Sequence, residues 1–110
     1  MRVLQGEIWL TEFGQDVGNE RSGRRPVLII SNDNFNDTIP GLTIVAPMTS
    51  RSRGWMSHVK VEPAATGLDR VSWIMTEQVR AVSRRRFMTQ IGTASKETVA
   101  EVTDLMRKLL

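Results

Sequence analysis

The chain has 110 residues, 40% of them hydrophobic and 25% charged, with 15 Lys and Arg against 12 Asp and Glu for a net charge of +3. That length fits one domain spanning 1–110 and leaves little room for a second, and the absence of cysteine excludes a disulfide framework, thiolate zinc sites and a Cys nucleophile. No apolar run approaches the roughly 20 residues that span a bilayer, and charge arrives too early in residues 1–7 for a signal peptide, so a soluble, cytoplasmic protein with no membrane partner is expected.

Residues 6–13 alternate as a strand, with Ile8 and Leu10 on one face and Trp9, Thr11 and Phe13 on the other. Residues 14–24 form a polar, Gly-rich loop, long for so small a domain and therefore a candidate functional segment. Pro26 to Ile30 is a continuous apolar run, the mark of a strand buried on both faces. Residues 33–38 suit one short helical turn, and residues 42–50 a further strand in which Pro47, lacking an N–H, calls for an edge or a bulge.

A loop at 51–56 leads to a strand at 57–62, where Val59 and Val61 point inward and His58, Lys60 and Glu62 outward. Residues 63–69 turn. Residues 71–82 read as extended structure broken near Glu77 and Gln78, and 83–86 as a helical turn before a last strand at 88–93. Ser95 is a good N-cap for a terminal helix in which Val99, Val102, Met106 and Leu109 recur at helical spacing. Arg107 and Lys108 complement its C-terminal dipole. Several short strands with one terminal helix imply a mainly β, α+β domain, a bent sheet or small barrel closed to hide its edges.

Twelve of the fifteen basic residues are arginine, clustered at 21, 24 and 25, at 51 and 53, and at 84 to 86. Arginine favours bidentate phosphate recognition, although a charge of +3 is by itself a weak sign of nucleic-acid binding.

Four stretches in order resemble the MazF/PemK (Kid) toxin family: GEIWL at 6–10, GNERSGRRPVLIISND at 18–33, VAPMTS at 45–50, and TEQVRAVSRRRF at 76–87 followed by IGTAS at 91–95. Together they cover nearly the whole chain. The resemblance implies an SH3-like small β-barrel of the CcdB/MazF kind. It further implies a homodimer, a toxin of a type II toxin–antitoxin system, and sequence-specific cleavage of single-stranded RNA. An antitoxin segment, acidic and partly disordered, is expected to silence the toxin in the RNA groove.

Cutting RNA with its own 2′-OH as nucleophile needs no cofactor and no metal. The enzyme must position the phosphate, stabilise charge on the phosphoryl oxygens and move two protons. Arg25 lies where the long loop meets the buried strand, beside Pro26, and by resemblance matches the family's catalytic arginine; a solvated loop arginine is the plain alternative. Arg24 is expected to tolerate substitution better. Thr49 ends a strand, has a hydroxyl that can donate to a phosphate oxygen, and by resemblance matches the catalytic threonine; otherwise it simply fills a strand position.

The proton acceptor is open, with Glu20 and Glu77 as candidates if burial raises their pKa. Relatives with an acidic residue at the place of Glu77 also carry an Arg and a His where this chain has Met75 and Asn19, so their mechanism does not transfer. Glu77, Gln78 and Arg80 resemble the base-reading segment, against which stands a surface ion pair of Glu77 with Arg80. Ser31 and Asn32 line the same groove or form a plain turn. Arg51 and Arg53 suit flanking phosphates, and Trp55 suits base stacking or packing under its own loop. Arg84 to Arg86 read as a solvated face or a contact for antitoxin or RNA.

His58 reads as an outward strand residue with no catalytic part. One histidine and no cysteine exclude a His pair within a protomer and do not suit zinc catalysis. Two rivals are a gyrase-poisoning toxin of the CcdB type, whose apolar Trp-Gly-Ile tail contrasts with Arg107-Lys108-Leu109-Leu110 here, and a non-catalytic RNA-binding barrel.

Overall fold

The structure, a computed structural model, describes residues 1–14 and 23–110. In chain order it contains β1 (Glu7–Glu12), β2 (Arg24–Ile29), α1 (Asp33–Thr38), β3 (Leu42–Thr49), β4 (His58–Val61), β5 (Ser72–Met75), β6 (Arg80–Ser83), β7 (Phe87–Thr93) and α2 (Lys96–Leu109). Short 3-10 turns occupy Pro63–Ala65, Thr76–Gln78 and Arg84–Arg86. No helix among the described residues is long and apolar enough to cross a membrane.

Seven strands form one antiparallel network in the order β4-β5-β3-β2-β1-β7, with β6 pairing off the path onto β3. The continuous apolar run of β2 explains its central place. Val27 and Ile29 feed one core cluster with Val3, Val45, Val82 and Phe87, while Leu28 and Ile30 feed the other with Ile8, Ala46, Met48, Val59, Ile74 and Val102. Strand alternation sends successive side chains to opposite faces, so β2 is buried on both sides. Each such side chain contributes roughly 1.5–3 kcal/mol by leaving water.

β3 bends because it changes partner. Its first half pairs with β6, from Leu42 opposite Ser83 to Val45 opposite Arg80. Its last residues pair with β5, Met48 opposite Ile74 and Thr49 opposite Trp73. Ala46 and Pro47 fall between these two ladders, so the missing N–H of Pro47 lies where the pairing changes, not in an unbroken ladder.

The fold is the small, barrel-like one expected, but its hydrogen-bonded ladder is open, since among the described residues β4 and β7 are its two ends. The gap is closed by backbone packing instead. A Cβ at Gly92 in β7 would collide with the carbonyl oxygen of Thr66, and one at Gly67, where φ is +83°, would press on the Ile91 carbonyl. Two glycines therefore let the end of β7 lie directly against the turn after β4. Helix α2, capped as expected by Ser95 through a bond from Thr98 N–H, seats Val102 in the core.

Candidate nucleic-acid interface

The strand register gathers residues far apart in sequence onto one sheet face. β2 and β3 pair with Val27 opposite Pro47. Extending that antiparallel register by two residues on each strand sets Arg25 opposite Thr49. Thr49 in turn lies opposite Trp73, and Trp73 opposite Lys60. Directly paired residues share a face, so Arg25, Thr49, Trp73 and Lys60 form one row, with His58 opposite Met75 on the same side two residues along. The opposite face carries Met48, Ile74 and Val59, which belong to the core.

At the end of this row lies a cleft of about 260 Å³ lined by Arg24, Arg25, Pro26, Met48, Thr49, Ser50, Leu68, Asp69, Arg70 and Ser72. Arg25 is half-buried and anchored in β2, with Thr11 of β1 as its strand partner. Arg24 points to the exposed side and makes a 3.4 Å ion pair with Glu12. Thr49 is buried, and its Oγ1 accepts a 3.2 Å bond from the Arg51 N–H. That bond orients the hydroxyl and leaves its hydrogen to donate outward. Three guanidinium groups thus ring the cleft, with Asp69 as its carboxylate, paired to Arg70 at 3.4 Å.

Asp69, Arg70 and Ser72 were not singled out by sequence, where 63–69 read as a turn. They reach the cleft because the β4–β5 hairpin returns the chain to the end of β3, a pairing that residue spacing does not reveal.

Glu77 sits in a different grouping. Its Oε2 accepts from His58 Nε2 at 3.0 Å and its Oε1 from Ser57 Oγ at 2.8 Å. Burial alone pushes the Glu77 carboxyl upward, but the bonds from His58 and Ser57, its own backbone N–H and the attraction of His58 together hold it below the ordinary carboxylate range. The role of proton acceptor called for a raised pKa; a lowered one is found, because donors reach both oxygens. The expected alternative of an ion pair between Glu77 and Arg80 is absent as well, since Arg80 lies over the Phe13 ring at 5.2 Å. Arg80 is opposite Val45, midway along β3, and so on the same face as Arg25.

His58 differs most from expectation. It is on the outward face, but its side chain is only 2% exposed, covered by Glu77 and by the Trp55 ring at 5.1 Å. Trp55 is itself half exposed, with the Arg53 guanidinium 5.5 Å from its ring. Arg51, Arg53 and Trp55 occupy the exposed loop after β3, and Gln78 the exposed end of the 3-10 turn; none of them lines the Arg25–Thr49 cleft.

Of the two readings open for Ser31 and Asn32, the turn is the one their bonds fit, since they serve the fold at the opposite end of β2. Ser31 Oγ donates to Asn36 Oδ1 at 2.5 Å and accepts from Ile44 N–H at 3.0 Å, while Asn32 caps α1 by accepting from Phe35 N–H at 2.8 Å. Arg84 and Arg86 likewise bond inward, Arg84 to Thr43 Oγ1 and Arg86 to the Glu12 carbonyl. Glu20 lies outside the described residues.

The model for PemK-like, MazF-like toxins of type II toxin–antitoxin systems matches residues 4–110. Endoribonuclease EndoA of Bacillus subtilis (strain 168) is 30% identical over 109 residues, covering 97% of this chain and 93% of that protein. Crystalline MazF of Deinococcus radiodurans superposes with a TM-score of 0.83 at 29% identity, over 99% of this chain and 96% of that one. MazF in a MazE–MazF crystal from the same organism gives 0.80 at 29% identity, over the same shares. The chain belongs to the PemK-like, MazF-like toxin family of type II toxin–antitoxin systems.

Proposed function

We propose that this endoribonuclease of the toxin family cuts single-stranded RNA at a short sequence, using Arg25 and Thr49 on the scissile phosphate and leaving 2′,3′-cyclic phosphate and 5′-OH ends. The observation that carries the reading is that a strand-anchored guanidinium and a buried, oriented hydroxyl line one basic cleft. The substrate's 2′-OH gives up its proton as it attacks the neighbouring phosphorus. The bond from phosphorus to the 5′-oxygen breaks, and that oxygen takes a proton from solvent to leave as 5′-OH. Arg25 offers planar donors to the phosphoryl oxygens as charge grows on them, and Thr49 donates a further hydrogen bond. Neither step calls on a metal or a cofactor. The basic rim of Arg24 and Arg70 attracts the flanking backbone.

Glu77 is poorly suited to take the 2′-OH proton, because both its oxygens already accept hydrogen bonds and it stays ionised. Among the described residues Asp69 is the carboxylate that lines the cleft, and we assign it that role. The chain works in the cytoplasm as a single domain that pairs with a second copy. It is silenced by an antitoxin, as the MazE–MazF crystals of the Deinococcus relative suggest by analogy. The antitoxin segment should be acidic, to match the guanidinium-rich cleft.

The test is incubation of mixed-sequence RNA with the wild type and with Arg25→Ala and Thr49→Ala, in EDTA, followed by analysis of the ends. Cleavage to cyclic phosphates that both substitutions nearly abolish is expected. Binding without cleavage would instead favour a non-catalytic RNA-binding barrel.

A further inference from the structure

Besides the cleft, the same sheet face carries a polar cluster to which phosphate chemistry gives no task. His58 is on β4, two strands from Thr49 and two residues along. With strands about 4.8 Å apart and residues about 3.3 Å apart, its backbone is on the order of 12 Å from that of Thr49. That span, and the enclosure of the imidazole by Glu77 and Trp55, set His58 apart from a phosphate held by Thr49.

Its surroundings point to another task. The imidazole is enclosed, its Nε2 donates to Glu77 Oε2 at 3.0 Å, and Ser57 Oγ donates to Glu77 Oε1 at 2.8 Å. The Nδ1 atom is buried with no hydrogen-bond partner. A proton placed there would be an orphaned donor, whereas a proton on Nε2 is accepted by Glu77. Thr76, next to Glu77, closes the same joint by donating from Oγ1 to the Ser57 carbonyl at 2.6 Å. Glu77 is therefore clamped from both sides, yet its side chain remains 28% exposed. Each carboxylate oxygen takes about two hydrogen bonds, so the outer lone pairs stay free to accept from a ligand. The Trp55 ring, against His58 on the other side, is half exposed at the same place.

An ionised carboxylate held still beside an exposed aromatic ring is an arrangement that reads a nucleobase, with stacking on the ring and donors of the base edge on the carboxylate. We infer that His58 is a positioning residue for sequence selection: it fixes the Glu77 carboxylate as an acceptor and holds it in register with Trp55, so that a base bearing N–H donors is chosen at one position of the cut site. This rests on the endoribonuclease reading above.

The experiment digests a random-sequence RNA pool with the wild type, His58→Ala, His58→Gln and Glu77→Gln, and sequences the ends. It also measures kcat, KM and the melting temperature of each. His58→Ala is expected to relax the preference at one position and raise KM for the preferred site about tenfold, the loss of one hydrogen bond to a charged group, with kcat nearly unchanged. His58→Gln, which keeps an N–H donor, should restore much of the preference. Glu77→Gln should relax the same position, and adding His58→Ala to it should change little further.

A His58→Ala enzyme that melts lower but cuts with the wild-type profile and KM would reduce His58 to a staple of the fold and overturn the inference. So would a collapse of kcat at constant KM. A wild type inert toward all RNA is a separate result, which removes the endoribonuclease reading itself.

Discussion

Arg25 and Thr49 stand at an open, guanidinium-rich cleft, whereas His58 and Glu77 close on each other beneath a tryptophan. Both groupings lie on one face of one sheet, placed there by strand pairing, yet they are built in opposite ways. At the cleft the Thr49 hydroxyl accepts from Arg51 N–H and keeps its hydrogen to donate. The cluster holds each carboxylate oxygen of Glu77 with one internal donor and leaves only the outer lone pairs open. Groups that stabilise a developing charge must be free to meet it, while groups that read a base must be held still before the base arrives. The difference teaches which residues to assign to chemistry and which to selection.

The largest expected effect is at the cleft. Arg25→Ala should lower kcat/KM by about 10²–10³ with little change in melting temperature, as the loss of a preorganised donor does elsewhere. A loss under tenfold would move the chemistry away from this cleft. Asp69→Asn should lower kcat about 10²-fold at neutral pH if it accepts the 2′-OH proton. A pH–rate profile unchanged by that substitution would return the role to Glu20.

Next comes salt. With Arg24, Arg25 and Arg70 each meeting a phosphate, the slope of log affinity against log salt should be near −2, so a fourfold rise in salt weakens RNA binding roughly 20-fold. Fluorescence anisotropy with an uncleavable RNA measures this, and a flat response would contradict a guanidinium-lined path. The neighbouring Arg24→Ala should cost only about threefold, since its exposed pairing with Glu12 is weak.

The smallest effect belongs to the locked cluster. Glu77 has a depressed folded-state pKa, so its contribution to stability is present above the unfolded carboxylate pKa and is lost as pH falls through the lower folded value. Melting curves in acid should therefore converge for wild type and Glu77→Gln, and differ near neutrality. Curves that run parallel across that range would deny the clamp.

Much of this fold is legible in the sequence. The run Pro26–Ile30 announces a strand buried on both faces, Ser95 announces the last helix, and the break expected near Glu77 and Gln78 takes the form of a 3-10 turn. Arg25 is legible as a cleft residue through the family resemblance, since the local junction of loop and strand alone fits a solvated arginine as well. Asp69 and Arg70 are not, because their place depends on Thr49 pairing with Trp73, 24 residues downstream. His58 misleads for the same reason. Alternation correctly puts it on the outer face, but its cover comes from Trp55 and from Glu77, 19 residues later. Ser31 and Asn32 mislead in the other direction. Their polar groups look available in sequence and are spent on capping α1 and bridging to Ile44. The barrel, too, is shut by contacts of Gly67 and Gly92 and not by a ladder, which no hydrophobic period encodes.

The most direct test of the central claim is a double-mutant cycle at Arg25 and Thr49. Single-turnover cleavage rates would be compared for Arg25→Ala, Thr49→Ala and the pair. Two groups acting on one phosphate form a unit, so the double substitution should be little slower than the worse single one. Losses that multiply in the double variant would mean that the two side chains act independently, and the shared-phosphate arrangement would be wrong.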